Sequence, residues 1–416
     1  MRPSDISEIK QLYRLDPEQC NIHRISGCFV NGEKEKVVQF TETFRLLPEE
    51  ERFKYLEIFR KCLSGTRDKN LILLRPHFEL GEAPEEEPVD ATKLLRELID
   101  TDLEDETVLQ TFYDKVIESF RYEDNYLILL ARQNYDVPGR TTDGMELEDG
   151  SEEVYRHMVC AICPVKPTKP GLGYVPAENA FHNLTPGQIV EMPLNGFLYP
   201  SFIERSQDPD YVLYFSKDSV DIRPEFAGEV LGSSTPLAAA GQKESFSSLL
   251  TDTLGDEGDL DTVLQIHENL QTIVREKKEE QESPILGKED VRVILKECGV
   301  NEEKMKDFDD RFDAVFSFGP SEGDASEGEG EAGEGEKDEH KTAISRYPEE
   351  IPVEERIFVA SNLIPARTLE VKNSDFTIRI NTNRTELLET RVIDGKKCLV
   401  IELEDGVSVN GIPIRV

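Results

Sequence analysis

Two short stretches hold most of the residue types that could bind something. Pro164-Val165-Lys166-Pro167-Thr168-Lys169-Pro170-Gly171-Leu172-Gly173-Tyr174 is the one conspicuous basic, turn-rich run in a chain of net charge −37. Where it leaves an apolar strand it would set two lysines and a stiff proline turn at the end of a sheet, where ligand sites gather. Tyr135-Asp136-Val137-Pro138-Gly139-Arg140 leaves a neighbouring strand candidate in the same way. Asp136, Arg140, Lys166, Lys169, Gly171 and Tyr174 are therefore the candidate binding residues, for a small anion or a peptide received between the two loops. The plainer alternative is that both runs are tight exits from strands.

Other groupings look chemical and have plainer explanations. Cys160 and Cys163, with His157 three residues earlier, suggest a metal or redox site. On a strand, however, residues three apart point to opposite faces, and no second CxxC completes a tetrahedral zinc set. They read as buried thiols. His267 lies on the apolar stripe of its helix and reads as a core histidine. Gly328, Gly330 and Gly333 have the spacing of a dinucleotide loop, but they lie among glutamates that would repel a pyrophosphate. No HExxH or GxxxxGK[ST] occurs, and the GxSxG spacing of Gly319 to Gly323 is no nucleophile elbow, which needs a strand before it and a helix after it, whereas this one leads into the acidic stretch. With 85 acidic residues, carboxylates near one another in sequence have little diagnostic weight. The cluster Asp100, Asp102, Glu104 and Asp105 lacks the glycine and terminal glutamate of a calcium loop. No catalytic residue, metal ligand or cofactor is assigned.

Local patterns predict the elements that position these residues. A helix begins near Ser4 or Asp5, with capping-box spacing between Asp5 and Glu8. A hairpin follows, His23 to Val30 and Lys36 to Phe44, turning at Asn31-Gly32. Pro48 opens a helix with Phe53, Leu56, Phe59 and Leu63 on one face, and Gly65 is expected to end it in a left-handed cap. Leu71 to Leu74 reads as a short strand, and Glu82 to Pro88 as an acidic loop. Two amphipathic helices come next, the second carrying Val108, Leu109, Phe112, Tyr113, Val116, Ile117 and Phe120 at helical spacing. The apolar runs Tyr126 to Ala131 and Val154 to Val165 read as central strands, followed by strands at Phe197 to Phe202 and Tyr211 to Phe215. Beyond Pro224 the pattern is helical, around Leu260 to Val274, Val291 to Lys296 and Glu302 to Phe316. Ser321 to Lys341 has almost no apolar residue to offset the entropy of ordering and is expected to be a disordered linker. Alternation in Phe376 to Ile380 and Leu399 to Leu403, with turns at Asp394-Gly395, Asp405-Gly406 and Asn410-Gly411, predicts a small antiparallel meander.

The predicted class is α+β: a mixed domain over 1–223, a helical region over 224–318, an acidic linker over 319–346 and a small β domain over 347–416. A length of 416 residues with 38% hydrophobic content suits two or three folded units. The charge repels phosphate backbones and anionic lipid over most of the surface, which disfavours nucleic acid as a direct partner. Seven scattered cysteines read as reduced thiols. Neither a secretory leader nor an apolar run long enough to span a bilayer is found, so the expected compartment is the cytoplasm.

Several stretches are similar to a bacterial family known only as domain of unknown function 4317. They are chiefly Gly32-Glu33-Lys34-Glu35-Lys36, Phe53-Lys54-Tyr55-Leu56-Glu57-Ile58-Phe59-Arg60-Lys61, Tyr135 to Gly139, Ile162-Cys163-Pro164-Val165, Lys169 to Leu172 and Glu389 to Gly395. This likeness implies no activity. In order and layout more than in identity, the chain also resembles the bacterial nucleoid-associated protein family, through Leu231-Gly232, Leu237-Ala238, Gln242 and the ending Phe376 to Asn381. That would imply a role at the nucleoid through a protein partner. The expectation is a non-catalytic binding or accessory protein with a protein partner. The alternatives are an enzyme with a carboxylate-based site near Asp136 and Lys169, and an acidic mimic of nucleic acid. On oligomeric state the sequence is silent.

Overall fold

The computed structural model describes residues 1–14, 20–76, 78–79, 89–90, 92–140, 146–175, 178–184, 187–220, 222–255, 260–317, 356–365, 368–372, 375–382, 384, 387–402, 408–409 and 412–413. The expected acidic linker, its glycines, and the turns at Asp405-Gly406 and Asn410-Gly411 lie outside these residues, as does the loop from Glu82 to Pro88. The protein is α+β and separates into two compact units, Met1–Ala238 and Ala239–Val416.

The first unit is built on an antiparallel sheet. Its strands run in the order Lys36–Thr43, Ile22–Val30, Tyr126–Arg140, Glu146–Pro167, Asn195–Tyr199, Val212–Ser216 and Leu71–Leu74, with Gln188–Val190 paired to the end of Glu146–Pro167. The two apolar runs expected to be central are central, because both of their faces are covered. Tyr126, Ile128 and Leu130 enter one hydrophobic core, and Leu127, Leu129 and Ala131 enter the other. Period-2 side-chain alternation with burial on both sides gives a continuous apolar sequence. Helices Lys93–Asp100, Glu106–Ser119 and Pro224–Leu231 contribute to the first core, and Pro3–Gln11 and Glu49–Cys62 to the second. Phe226, Ala227, Val230 and Leu231 are buried in the first core, so the helix beyond residue 223 packs with the sheet unit.

Two glycines act for reasons other than those expected. The turn after Ile22–Val30 spans 31–35, and its left-handed residue is Lys34, at φ 65°. Asn31 closes it by accepting from the Glu33 and Glu35 amides. At Gly32 a Cβ would stand 2.6 Å from the Glu123 carbonyl oxygen. Likewise Gly65 is not left-handed, and a Cβ there would meet Asn70 Cβ at 2.7 Å. Close approach, not dihedral freedom, calls for glycine at both positions.

In the second unit Phe358–Val359 pairs with Ile285–Leu286. The Phe358 ring lies among those of Phe246, Phe312 and Phe316, with centroids 5.4, 5.7 and 4.9 Å away. The Val359 amide donates to the buried Gln242 side chain at 2.8 Å. Thus the residues on the two sides of the acidic stretch, Phe316 and Phe358, share one core. Farther on, Thr368–Lys372 pairs with Thr377–Asn381, and Leu388–Ile393 with Lys396–Ile401. The second turn has Asp394 at φ 52° and Gly395 at φ 76°, as an Asp-Gly hairpin requires. Among the described residues no ladder joins these two hairpins, so the expected meander is instead a set of separate strand pairs.

Candidate functional site

The expected binding residues fall at opposite ends of one long hairpin. Tyr126–Arg140 and Glu146–Pro167 pair continuously from Tyr126↔Pro164 to Arg140↔Glu146. The 135–140 run is strand and not an exit loop; its Pro138 and Gly139 are accommodated where the register shifts, on either side of Pro138. Asp136 pairs with Val154, twelve residues before Lys166 on the same strand. At roughly 3.3 Å per residue that places Asp136 and Lys166 about 40 Å apart. The structure therefore does not bring Asp136 or Arg140 together with Lys166, Lys169, Gly171 and Tyr174. A shared site between the two runs, and with it an acid–lysine pair from Asp136 and Lys169, is not formed. Arg140 is in the strand, and its side chain lies outside the described residues.

At one end the hairpin leads into a two-stranded arm, Gly171–Val175 paired with Ala180–Leu184. Thr168 closes its base: its amide donates to Gly187 O at 2.8 Å, and Gly187 N donates to Thr168 Oγ1 at 2.7 Å. Side chains two apart share a face, so Leu172 and Tyr174 stand together, and Phe181 lies directly across from Tyr174. Their exposures are 76%, 49% and 66%. The Tyr174 and Phe181 rings are 5.4 Å apart, and the Tyr174 hydroxyl donates to Asn179 Oδ1 at 2.6 Å. Ile189 and Met192, at the arm's base, are exposed as well. Lys166 pairs with Glu191 at 3.1 Å, and this partner raises its pKa. Lys169 is exposed, with no carboxylate in ion-pair range among the described residues. Gly171 has open space where a Cβ would stand, so neither crowding nor backbone geometry demands glycine there.

At the other end, on the face shared by Asn134, Asp136, Val154 and Arg156, a cleft of about 310 Å³ opens beside the helix Lys93–Asp100. Arg96, Asp100, Glu153, Arg156 and the buried Tyr199 line it. The three sequence runs that supply these residues are far apart, and none carries a motif. The opposite face of the same strands holds His157, buried and stacked on Tyr155 with ring centroids 4.4 Å apart. Its Nε2 meets the Tyr13 hydroxyl at 3.1 Å. Burial, reinforced by the Arg132 charge, pushes its pKa down to about 3. His157 is thus a neutral core residue.

Cys160 and Cys163 enter different cores, as strand geometry requires. Burial raises both thiols, which keeps them protonated and unreactive. Among the described residues no group of three His, Cys, Asp or Glu side chains is placed to hold a metal ion. His267 is buried, with Gln271 Nε2 at 3.1 Å from its Nε2. No helix among the described residues is long and apolar enough to cross a membrane.

A scan against protein families matches residues 1–325 and 333–412 to the family described as Domain of unknown function (DUF4317). The chain belongs to this family. A search of the curated proteins found no match, and a search of the solved structures found none either. The layout shared with the nucleoid-associated family therefore gains no support from these comparisons.

Proposed function

We propose that this member of the family is a cytoplasmic, non-catalytic binding protein that docks a protein partner through the Gly171–Leu184 arm. The observation that carries the reading is the unpacked apolar face of Leu172, Tyr174 and Phe181. Three large side chains held at fixed spacing on an exposed hairpin are costly in water unless something covers them. Aromatic residues at such positions supply much of the energy at protein interfaces. Lys169 adds a positive charge at the arm's base in a chain of net charge −37, and would orient an acidic rim on the partner. The same net charge argues that any residence at the nucleoid runs through a protein, with no direct grip on DNA.

The test is affinity capture of the tagged full chain from cytosol, with and without nuclease, beside a Leu172→Ser, Tyr174→Ser, Phe181→Ser variant. Partners that survive nuclease and are lost with the triple variant are the expected result. Partners that vanish with nuclease, or that the variant retains in full, would overturn it.

A further inference from the structure

One edge of the first unit's sheet is open. Lys36–Thr43 ends the sheet with Ile22–Val30 as its one neighbour, whereas the strand at the opposite edge, Leu71–Leu74, is half as long and largely buried. From Val38 to Thr43 the pairing with Ile22–Val30 is regular, and the bulge is confined to Val37. Ser26 Oγ donates to the Phe40 carbonyl at 3.1 Å, so Phe40 turns its backbone inward. Strand alternation then turns the amides and carbonyls of Gln39, Thr41 and Thr43 outward. Among the described residues these outward groups have no partner. Val37 and Val38 are each 52% exposed, and no charged residue stands between Lys36 and Glu42. Natural edges are shielded by lysines, prolines, short length or a covering element, because an unpaired edge templates another strand. Here Lys36 and the bulge guard one end and leave Val38 to Thr41 unguarded.

The rim of this edge is acidic. Glu42 and Glu51 are exposed and have no cation in ion-pair range among the described residues. Both lie near Tyr55, whose pKa is raised by burial and further by these two charges. Glu33 and Glu35 are exposed at the other end, beside Lys34, while Lys36 is already held by Asp114 at 2.6 Å. We infer that Lys36–Thr43 receives an extended, basic segment of another protein as an added strand, its main chain bonded to Gln39, Thr41 and Thr43 and its lysines or arginines facing Glu42 and Glu51. The main-chain pairing supplies about six hydrogen bonds whatever the sequence of the segment. Charge selects among sequences, since a chain of net −37 attracts a basic segment and repels a second copy of itself.

Fluorescence anisotropy and amide hydrogen exchange on the full chain test this with three synthetic peptides. One has an alternating valine and threonine core flanked by lysines, one has the same core flanked by glutamates, and one is the lysine form N-methylated along its core. We expect the lysine form to bind and to slow exchange at Gln39, Thr41 and Thr43. The glutamate form should bind at least about fivefold more weakly, the worth of a surface ion pair, and the N-methylated form should not bind. Glu42→Lys should weaken the lysine form by a similar factor without touching the backbone. Thr41→Pro, tolerated at an edge where the N–H faces outward, should weaken it about tenfold. The Leu172→Ser, Tyr174→Ser, Phe181→Ser variant should bind it as wild type does. No binding of the lysine form at about 1 mM would overturn the proposal. So would equal binding of the glutamate form, protection away from this strand, or unchanged affinity in both Glu42→Lys and Thr41→Pro. A concentration-dependent dimer that protects the same three amides with no peptide present would give the edge to a second copy and overturn it too.

Discussion

The two ends of the long hairpin share the same pair of strands yet present different surfaces. One end carries an exposed apolar arm held to the body by backbone and threonine hydrogen bonds at Thr168 and Gly187. The other is a charged cleft walled by a helix, two strand ends and a turn. Between them the strands are buried on both faces. A fully covered centre fixes register and length, because a one-residue slip would exchange the two cores. Towards the cleft the cover becomes one-sided, with Asp136, Val154 and Arg156 exposed on one face while Val137 and Tyr155 still enter a core on the other, and the apolar side chains of the arm are exposed. A small change in exposed side chains at either end can therefore alter the surface without disturbing the fold.

The largest effect should come from the centre. Ile162 is fully buried and pairs with Ile128 and Asn195. Ile162→Ala should cost about 2–5 kcal/mol, from lost transfer energy and the cavity left behind. Urea unfolding would measure it. A cost below about 1 kcal/mol would mean that the two ends do not depend on a common core.

A second effect sharpens the comparison through pH. His157 lies on the buried face opposite the cleft, with its pKa lowered from 6.5 to about 3. The folded state excludes a proton that the unfolded state accepts, so this histidine's contribution is intact above pH 6.5 and is lost progressively as pH falls towards about 3. Relative to wild type, His157→Gln should thus look most destabilised near neutrality. That deficit should shrink on acidification by an order of a few kcal/mol. Stability curves of the two proteins that stay parallel between pH 6.5 and 4 would show that His157 is not buried as a neutral group.

How much of this could be read from the chain depended on whether the signal was local. Tyr126 to Ala131 announces a central strand because every residue in it is apolar, and Asp394-Gly395 announces a hairpin because both positions take positive φ. The extension of the strand through Asp136, Pro138 and Gly139 was hidden. Those residues are poor strand formers, and pairing with Glu146–Pro167 overrides their preference. The run Pro164 to Tyr174 that leads into the arm reads as turn-rich because its glycines and prolines outnumber its apolar residues. Its character emerges only when Leu172 and Tyr174 are paired with Phe181. The cleft was invisible, since Arg96, Arg156 and Tyr199 converge from segments with no shared spacing. Nothing local could have shown that Leu71–Leu74 joins the sheet beside Val212–Ser216 at its far edge. Nor could the antiparallel register that separates Asp136 from Lys166 be read without knowing that the two strands are direct neighbours.

The smallest expected effect discriminates most sharply between the two ends. Replacing Leu172, Tyr174 and Phe181 together by serine removes side chains that remain largely in solvent. Surface changes of this kind usually alter stability by no more than about 0.5 kcal/mol each, with a cross-strand aromatic pair adding about 0.2–1 kcal/mol locally. The loss should stay within the arm, because its closure at Thr168 and Gly187 uses backbone and threonine groups that the substitutions leave intact. Thermal unfolding should therefore match wild type to within a few degrees, and local fraying should be seen by amide exchange over residues 171–184 alone. If the global midpoint fell by much more, these side chains would be covering core and not awaiting a partner, and the arm would belong with the centre of the hairpin.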